Sequence, residues 1–170
     1  MKTIVISFSL TGNNETLAKS ISSLLCSDHI RITEPKQRTY FAIGLDMLFN
    51  RTPKVIPTSE TIEEYDHIVF VGPVWMGQIA TPFRAYFKKY KHKIKRYSFV
   101  SISGGADGPN IKLSRELKKR LGMEPSAVIN ILIADLLSGY PAPTREVTES
   151  YRLKEKDARI MTYKIITDLV

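Results

Sequence analysis

A phosphate group needs many hydrogen-bond donors, a positive potential and no bulky side chain in the way. The run Ser9-Leu10-Thr11-Gly12-Asn13-Asn14 supplies two hydroxyls (Ser9, Thr11), two side-chain amides (Asn13, Asn14) and the open backbone of Gly12. It lies between an apolar run and a helical pattern, so it falls at a helix N-terminus, where unpaired N–H groups and the helix dipole both favour an anion. The lysine of a nucleoside-triphosphate loop is missing, and so is the glycine spacing of a dinucleotide fingerprint. Neutral donors of this kind suit a terminal monophosphate. Charge-assisted hydrogen bonds contribute about 1.5–3 kcal/mol each, while association costs roughly 4–15 kcal/mol. A larger planar group must therefore be buried nearby, and Trp75, in the loop from Gly72 to Ala80, could stack on one. A capped helix with no ligand is the alternative, but capping alone does not need so many small polar residues in a row.

Other chemistries find less support. Cys26 is the one cysteine, so no intrachain disulfide can form. It falls late in an amphipathic helix and is expected to be a buried, inert thiol. His29, His67 and His92 have no metal-ligand spacing and are expected at the surface or at strand ends. Asp107 and Tyr140 lie in plausible loops, but neither is marked as a dedicated acid or base. The net charge is +8, with cations concentrated at Lys88, Lys89, Lys91, Lys93, Lys95 and Arg96 and again at Lys118, Lys119 and Arg120. These read as solvated helix ends, where cations complement the dipole. Tyr86, Phe87 and Tyr90 recur at helical spacing and predict core packing, not base stacking, so no nucleic-acid partner is expected.

The elements that must position these residues alternate. Strands are expected at Lys2–Phe8, His29–Thr33, His67–Val71, Tyr97–Ile102 and Val128–Ala134. The first helix carries Leu17, Ala18, Ile21, Leu24 and Leu25 on one face, with Asn13 or Asn14 as its cap. A short apolar helix spans Tyr40–Phe49, and Thr52–Thr61 is irregular. The third helix starts with Thr81 as N-cap and Pro82 at its first position. The fourth runs to about Leu121, with Leu113, Leu117 and Leu121 inward and Gly122 as its stop. The last covers roughly Ser150–Leu169, with Leu153, Ile160, Met161, Ile165 and Leu169 on one face. Continuous apolar strands imply a parallel sheet buried on both faces. Ligands of such sheets bind beyond the carboxyl ends of the strands, where strand order reverses. The loops beginning at Ser9, Gly72 and Ser103 all emerge there.

A length of 170 residues and 43% hydrophobic content suit a single domain. No apolar stretch approaches the roughly 20 residues needed to span a bilayer. The N-terminus shows no secretory pattern, so a cytoplasmic protein is expected.

The first loop resembles the FMN-phosphate loop of the flavodoxin family, which typically reads as a hydroxyl residue, any residue, then Thr-Gly-Asn-Thr. Val71-Gly72-Pro73-Val74-Trp75-Met76-Gly77 resembles the family's second loop, and Ser103-Gly104-Gly105 its third. The resemblance spans the chain in order. It implies a three-layer, doubly wound α/β fold with a five-stranded parallel sheet in order 2-1-3-4-5 and FMN at the switch between strands one and three. It also implies roles. Ser9, Leu10, Thr11, Gly12, Asn13 and Asn14 would form the phosphate loop. Pro73, Val74, Trp75, Met76 and Gly77 would line one side of the flavin ring, and Ser103, Gly104 and Gly105 would approach its pyrimidine edge. Gly77 would let a peptide reorient near flavin N5.

The chain departs from the family pattern in four places. Asn14 replaces the usual threonine. Met76 stands between Trp75 and Gly77, so either Trp75 or Met76 covers the ring. The third loop has no aromatic residue, which leaves one flavin face open. The charge of +8 contrasts with acidic carrier flavodoxins. The resemblance thus implies a flavin-dependent oxidoreductase acting on a small substrate such as a quinone or nitroaromatic compound, with NAD(P)H as an electron source. The alternatives are an electron-transfer flavodoxin docking a protein partner, a membrane-associated porphyrinogen-oxidase-like flavoprotein, and a cofactor-free interaction module. Reductases of this fold are often homodimers, and Tyr40–Phe49 with Thr52–Thr61 could serve such an interface or simply pack on the sheet.

Overall fold

The apolar N-terminal run forms strand β1 (Thr3–Ser7) in the computed structural model, which describes residues 1–35, 39–56, 62–105, 108, 110–137 and 143–169. Asp107, Tyr140 and the second half of the 52–61 segment lie outside the described residues. After β1 come helix α1 (Asn13–Leu24), strand β2 (Asp28–Arg31), helix α2 (Tyr40–Leu48), a 3-10 turn (Ile62–Glu64) and strand β3 (His67–Val71). A short hairpin, β4 (Val74–Trp75) and β5 (Gln78–Ile79), precedes helix α3 (Pro82–Tyr90), strand β6 (Tyr97–Ser103), helix α4 (Leu113–Leu121) and strand β7 (Val128–Leu132). Three helices close the chain: α5 (Ile133–Leu136), α6 (Arg145–Ser150) and α7 (Glu155–Leu169).

The main sheet has five parallel strands in the order β2-β1-β3-β6-β7. Counted among these strands alone, that is 2-1-3-4-5. Central β3 is buried at every residue, as a strand covered on both faces must be. Side chains alternate between two cores. Ile4, Ile6, Ile68 and Phe70 face α3 and α4, meeting Phe83, Tyr86, Phe87, Leu113 and Leu117. Val5, Val69, Val71 and Val100 face the other way, with Leu17, Ala18 and Ile21 of α1 and Ala158 and Leu169 of α7. Burying each large apolar side chain stabilises the fold by about 1.5–3 kcal/mol.

Local signals explain most boundaries. Pro82 occupies the first turn of α3, and Lys88 and Lys89 sit in its last turn; Thr81 holds the N-cap position, but its side chain makes no capping hydrogen bond. Gly122 ends α4 in a left-handed conformation. Thr39 caps α2 by accepting from the Ala42 amide at 3.2 Å.

Several expectations are corrected. Strand β7 ends at Leu132 and turns at once into α5, so it does not reach Ala134. The last helix starts at Glu155, not Ser150, and a further short helix, α6, precedes it, with Tyr151–Lys154 between the two. Leu153 is buried in that break, and Ile160 of α7 faces outward at 47% exposure. Cys26 is exposed, at a φ of 48° just past α1. Neither Asn13 nor Asn14 caps α1: Gly12 is the N-cap and no side chain caps the helix. His67 stands at a strand end, as expected, but is fully buried.

Close packing leaves no room beside the second loop. A Cβ on Gly72 would lie 2.2 Å from Cε2 of Phe83 and 3.2 Å from the Phe8 carbonyl oxygen. The Phe83 ring is fully buried against Phe70 and Phe99 and cannot retreat. Gly72→Ala is expected to destabilise the fold by about 1–3 kcal/mol, the usual range for overpacking. Urea unfolding should show a lowered midpoint with an unchanged slope. An unchanged midpoint would contradict the packing described.

On the outward side of α2, Phe41, Leu48 and Phe49 are exposed while Ile43 and Met47 point inward. Among the described residues no helix is long and apolar enough to cross a membrane.

Candidate functional site

Strand register brings the three loops to one edge. Ser7 pairs with Val71, and Val71 pairs with Val100, so the chain leaves β1, β3 and β6 at neighbouring points. Amide N–H groups carry the ladder a step further: Phe8 donates to the Val71 carbonyl and Gly72 to the Val100 carbonyl, each at 3.0 Å. A cleft of about 160 Å³ opens above these ends. Leu10, Thr11, Asn13 and Asn14 form one wall, Pro73, Val74 and Trp75 a second, and Ser103 and Gly104 a third. Ser9, Gly12, Met76, Gly77 and Gly105 do not line it, although each lies in one of the three loops.

The first loop closes on itself, the Gly12 amide donating to Ser9 Oγ at 3.0 Å. Gly12 has a φ of +95°, and nothing lies within 4 Å of where its Cβ would be. The amides of Asn13, Asn14 and Glu15 are the first three of α1 and have no capping side chain. Helix geometry therefore leaves a cluster of donors at the loop. No lysine or arginine lines the cleft among the described residues, and its one charged lining residue there is Glu149.

The side chains of Asn13 and Asn14 do something else. Both are buried, at 3% exposure. Asn14 Nδ2 donates to the Ile102 carbonyl and its Oδ1 accepts from the Ile102 amide, both at 2.9 Å. On the side facing β3, β6 pairs only as far as Val100, so Asn14 serves as the missing strand at Ile102. Asn13 makes the corresponding pair with the break before α7: Nδ2 donates to the Tyr151 carbonyl at 3.1 Å, and the Leu153 amide donates to Oδ1 at 2.8 Å. These two amides tie the first loop to the third loop and to the C-terminal segment.

The second loop is the β4–β5 hairpin. Its two turn residues, Met76 and Gly77, have φ of 48° and 79°. Positive φ at both central positions is what a two-residue hairpin with the strand's own twist requires. Met76 is 83% exposed at the tip, whereas Trp75 lines the cleft and is propped edge-on by Phe8, ring centres 5.8 Å apart. In the third loop, Gly105 (φ +77°) lies so close to Leu132 that a Cβ would meet Leu132 Cβ at 2.7 Å.

Residues beyond the sequence-derived set also line the cleft: Ile102 and Ile133, and Thr148 and Glu149 of α6. Thr148 is buried, its Oγ1 donating to the Arg145 carbonyl at 2.9 Å and lying 3.2 Å from where a Cβ on Gly104 would be. Thr144, whose side chain accepts from the Val147 amide, is the sequence signal that a separate helix starts here.

A Ser–His–Glu cluster lies beside the first loop, but it is not a nucleophile site. His29 Nε2 lies 2.8 Å from Ser7 Oγ, and Ser7 donates to Glu15 Oε2 at 3.0 Å. Ser7 is fully buried, and its carboxylate partner bonds the serine, not the histidine. Burial holds the His29 imidazole below its ordinary pKa.

No protein-family model matches the chain. No curated protein matches it by sequence. Solved structures do share its architecture. A flavoprotein from Lactobacillus acidophilus in complex with FMN is 21% identical over 76% of this chain and 92% of its own, with a TM-score of 0.66. A Bacteroides eggerthii protein assigned as a flavoprotein is 18% identical over 97% of this chain and 98% of its own, with a TM-score of 0.68. A two-electron reduced flavodoxin from Megasphaera elsdenii is 13% identical over 94% and 98%, with a TM-score of 0.53. With its strand order and its three loops at one sheet edge, the chain has the flavodoxin-like fold.

Proposed function

We propose that this protein binds FMN across the β1–β3 switch point and uses it to pass electrons to or from a small substrate. The observation that carries the reading is the convergence of an uncapped helix start, a left-handed glycine with open space at its Cβ position, and a tryptophan beside one cleft. Those features fit a phosphate joined to a flat ring system. The Ser9 and Thr11 hydroxyls and the backbone N–H groups of Asn13 and Asn14 would hold the phosphate. Pro73–Gly77 and Ser103–Gly105 would border the ring. The cleft volume is below the roughly 300 Å³ of ordinary ligand pockets, so much of the ring would lie over the strand ends and remain open to solvent. When bound, FMN supplies hydride and electron transfer, and the protein supplies position and electrostatics.

Trp75 is the one aromatic residue among the described residues that line the cleft, which also include Ser103, Gly104, Ile133 and Thr148. With no second aromatic ring among those described residues, a small electron acceptor such as a quinone would find room against the flavin, which favours a reductase supplied by NAD(P)H over a protein-docking carrier. The exposed cations of α3 favour the carrier reading, since they offer a surface for an acidic redox partner. The test is the visible spectrum after FMN loading and desalting, followed by NAD(P)H oxidation with a quinone present. Retained flavin bands and turnover support the reductase. Retained bands without turnover favour the carrier. No retained flavin overturns the proposal.

A further inference from the structure

The basic residues of α3 and α4 read in sequence as two separate solvated helix ends. The fold places them around one hollow. A cavity of about 610 Å³ lies between the C-terminal end of α2, helices α3 and α4, and the β4–β5 hairpin. Five cations line it: Arg84, Lys88 and Lys91 from α3 and its end, and Lys119 and Arg120 from α4. Its one lining carboxylate is Glu116, which pairs with Arg120. Among the described residues, no carboxylate forms an ion pair with Lys88, Lys91 or Lys119.

The floor of the hollow is built around Arg84, which is 4% exposed. One guanidinium nitrogen donates to the Asp46 and Arg51 carbonyls at 3.2 and 3.3 Å, and the other donates to Gln78 Oε1 at 3.0 Å. Its Nε–H is buried with no acceptor. Arg120 donates to the same Gln78 oxygen at 3.1 Å. Two guanidinium groups thus converge on one neutral oxygen. A buried arginine with an unused donor, beside a second arginine and three lysines, calls for an acceptor with several oxygens and more than one negative charge. Planar guanidinium forks match phosphate in this way, and lysines add charge without directional demand. Met47 and Phe87 supply apolar lining, and the volume exceeds that of a bare phosphate.

We propose that this hollow is a second binding site, for a phosphate-bearing ligand with a small organic portion, distinct from the cleft at the strand ends. The two sites share a wall. Val74 and Trp75 of the hairpin line the cleft, while Gln78 lines the basic hollow. A ligand that engages Arg84 and Arg120 competes with Gln78 for them and so acts on the strand that carries the Met76–Gly77 turn. The phosphate could belong to a soluble metabolite or to a lipid headgroup. The exposed Leu48 and Phe49 adjoin the hollow at Met47 and Asn50 and would suit the second source.

The test uses the full chain with FMN in excess and inorganic pyrophosphate as probe, measured by isothermal titration calorimetry. In parallel, the chain is sedimented with vesicles of phosphatidylglycerol and of phosphatidylcholine. The expected result is saturable pyrophosphate binding that Lys91→Gln/Lys119→Gln weakens about tenfold or more, because each lost charge-assisted contact removes a substantial part of the affinity. These lysines lie on the surface and outside the cleft, so the variant keeps the fold and localises the binding whether or not flavin is held. Arg84→Lys is the second variant, and its folding is checked by circular dichroism. Phosphatidylglycerol binding lost in the same variants would assign the site to headgroups; pyrophosphate binding alone would assign it to soluble phosphates. Binding to neither probe, or binding that both variants leave intact, overturns the proposal.

Discussion

Replacing Asn14 by leucine is expected to lower stability by about 2–6 kcal/mol, because two buried backbone groups of Ile102 lose their partners at about 1–3 kcal/mol each. The leucine keeps the branched shape but can neither donate to the Ile102 carbonyl nor accept from its amide, bonds that are both 2.9 Å in the native fold. No strand stands ready to replace them, since β3 pairs with β6 only up to Val100. Against a typical total stability of about 5–15 kcal/mol, the loss is large. It should appear in guanidinium unfolding and as faster hydrogen exchange at the Ile102 amide. A loss below about 1 kcal/mol for Asn14→Leu would contradict the staple role. Because Ser103–Gly105 follows directly from Ile102, the variant should also weaken whatever the cleft holds.

The second large effect concerns acid. His67 is fully buried at the start of β3, with Nε2 2.9 Å from Ser98 Oγ and Nδ1 without a partner. Burial, with a smaller contribution from the Arg96 charge, pushes its pKa from 6.5 down to about 4. Above pH 6.5 the imidazole is neutral in both folded and unfolded chains and costs nothing. Between pH 6.5 and 4 the unfolded chain binds a proton that the folded chain refuses. Stability then falls by about 1.4 kcal/mol per pH unit, to a total of about 3 kcal/mol at pH 4. His67→Gln removes the titration. The difference in unfolding free energy between wild type and variant should therefore shift by about 3 kcal/mol between pH 7 and pH 4. A difference independent of pH would show that the folded protein accepts the proton at its ordinary pKa.

What the sequence revealed and what it hid divide along the range of the interactions. Runs such as His67–Val71, with five apolar or buried positions in a row, state their own strand and its burial. Pro82 and Gly122 mark helix ends by local backbone rules, and both act where expected. Alternation and right-handed crossovers imply a parallel sheet with helices on both faces, while the order of its strands was legible only through the resemblance of the three loops to the flavodoxin family. Asn13 and Asn14 were legible as polar residues at a helix start, but not in their roles. The same amide can cap a helix, hold a phosphate or replace a strand, and its partners here are 88 and 138 residues away in sequence. The break between α6 and α7 was hidden for a related reason. Tyr151–Lys154 contains neither proline nor glycine, and it is held open by Asn13 from the other end of the chain. The hairpin at Met76–Gly77 places a non-glycine residue at positive φ, where the sequence alone favours an ordinary loop. The basic hollow was invisible because its lysines and arginines belong to two helices that each look solvated by themselves.

Trp75 is the only tryptophan in the chain and lines the cleft, so its fluorescence reports binding there directly. The measurement that tests the central claim most directly is titration of this emission with FMN and, separately, with riboflavin. The account predicts saturable quenching by FMN, with riboflavin binding at least about tenfold more weakly, because it lacks the phosphate that the α1 amides and the Ser9 and Thr11 hydroxyls would hold. Equal affinity for the two would contradict the phosphate role of the first loop, and no quenching by either would contradict flavin binding altogether.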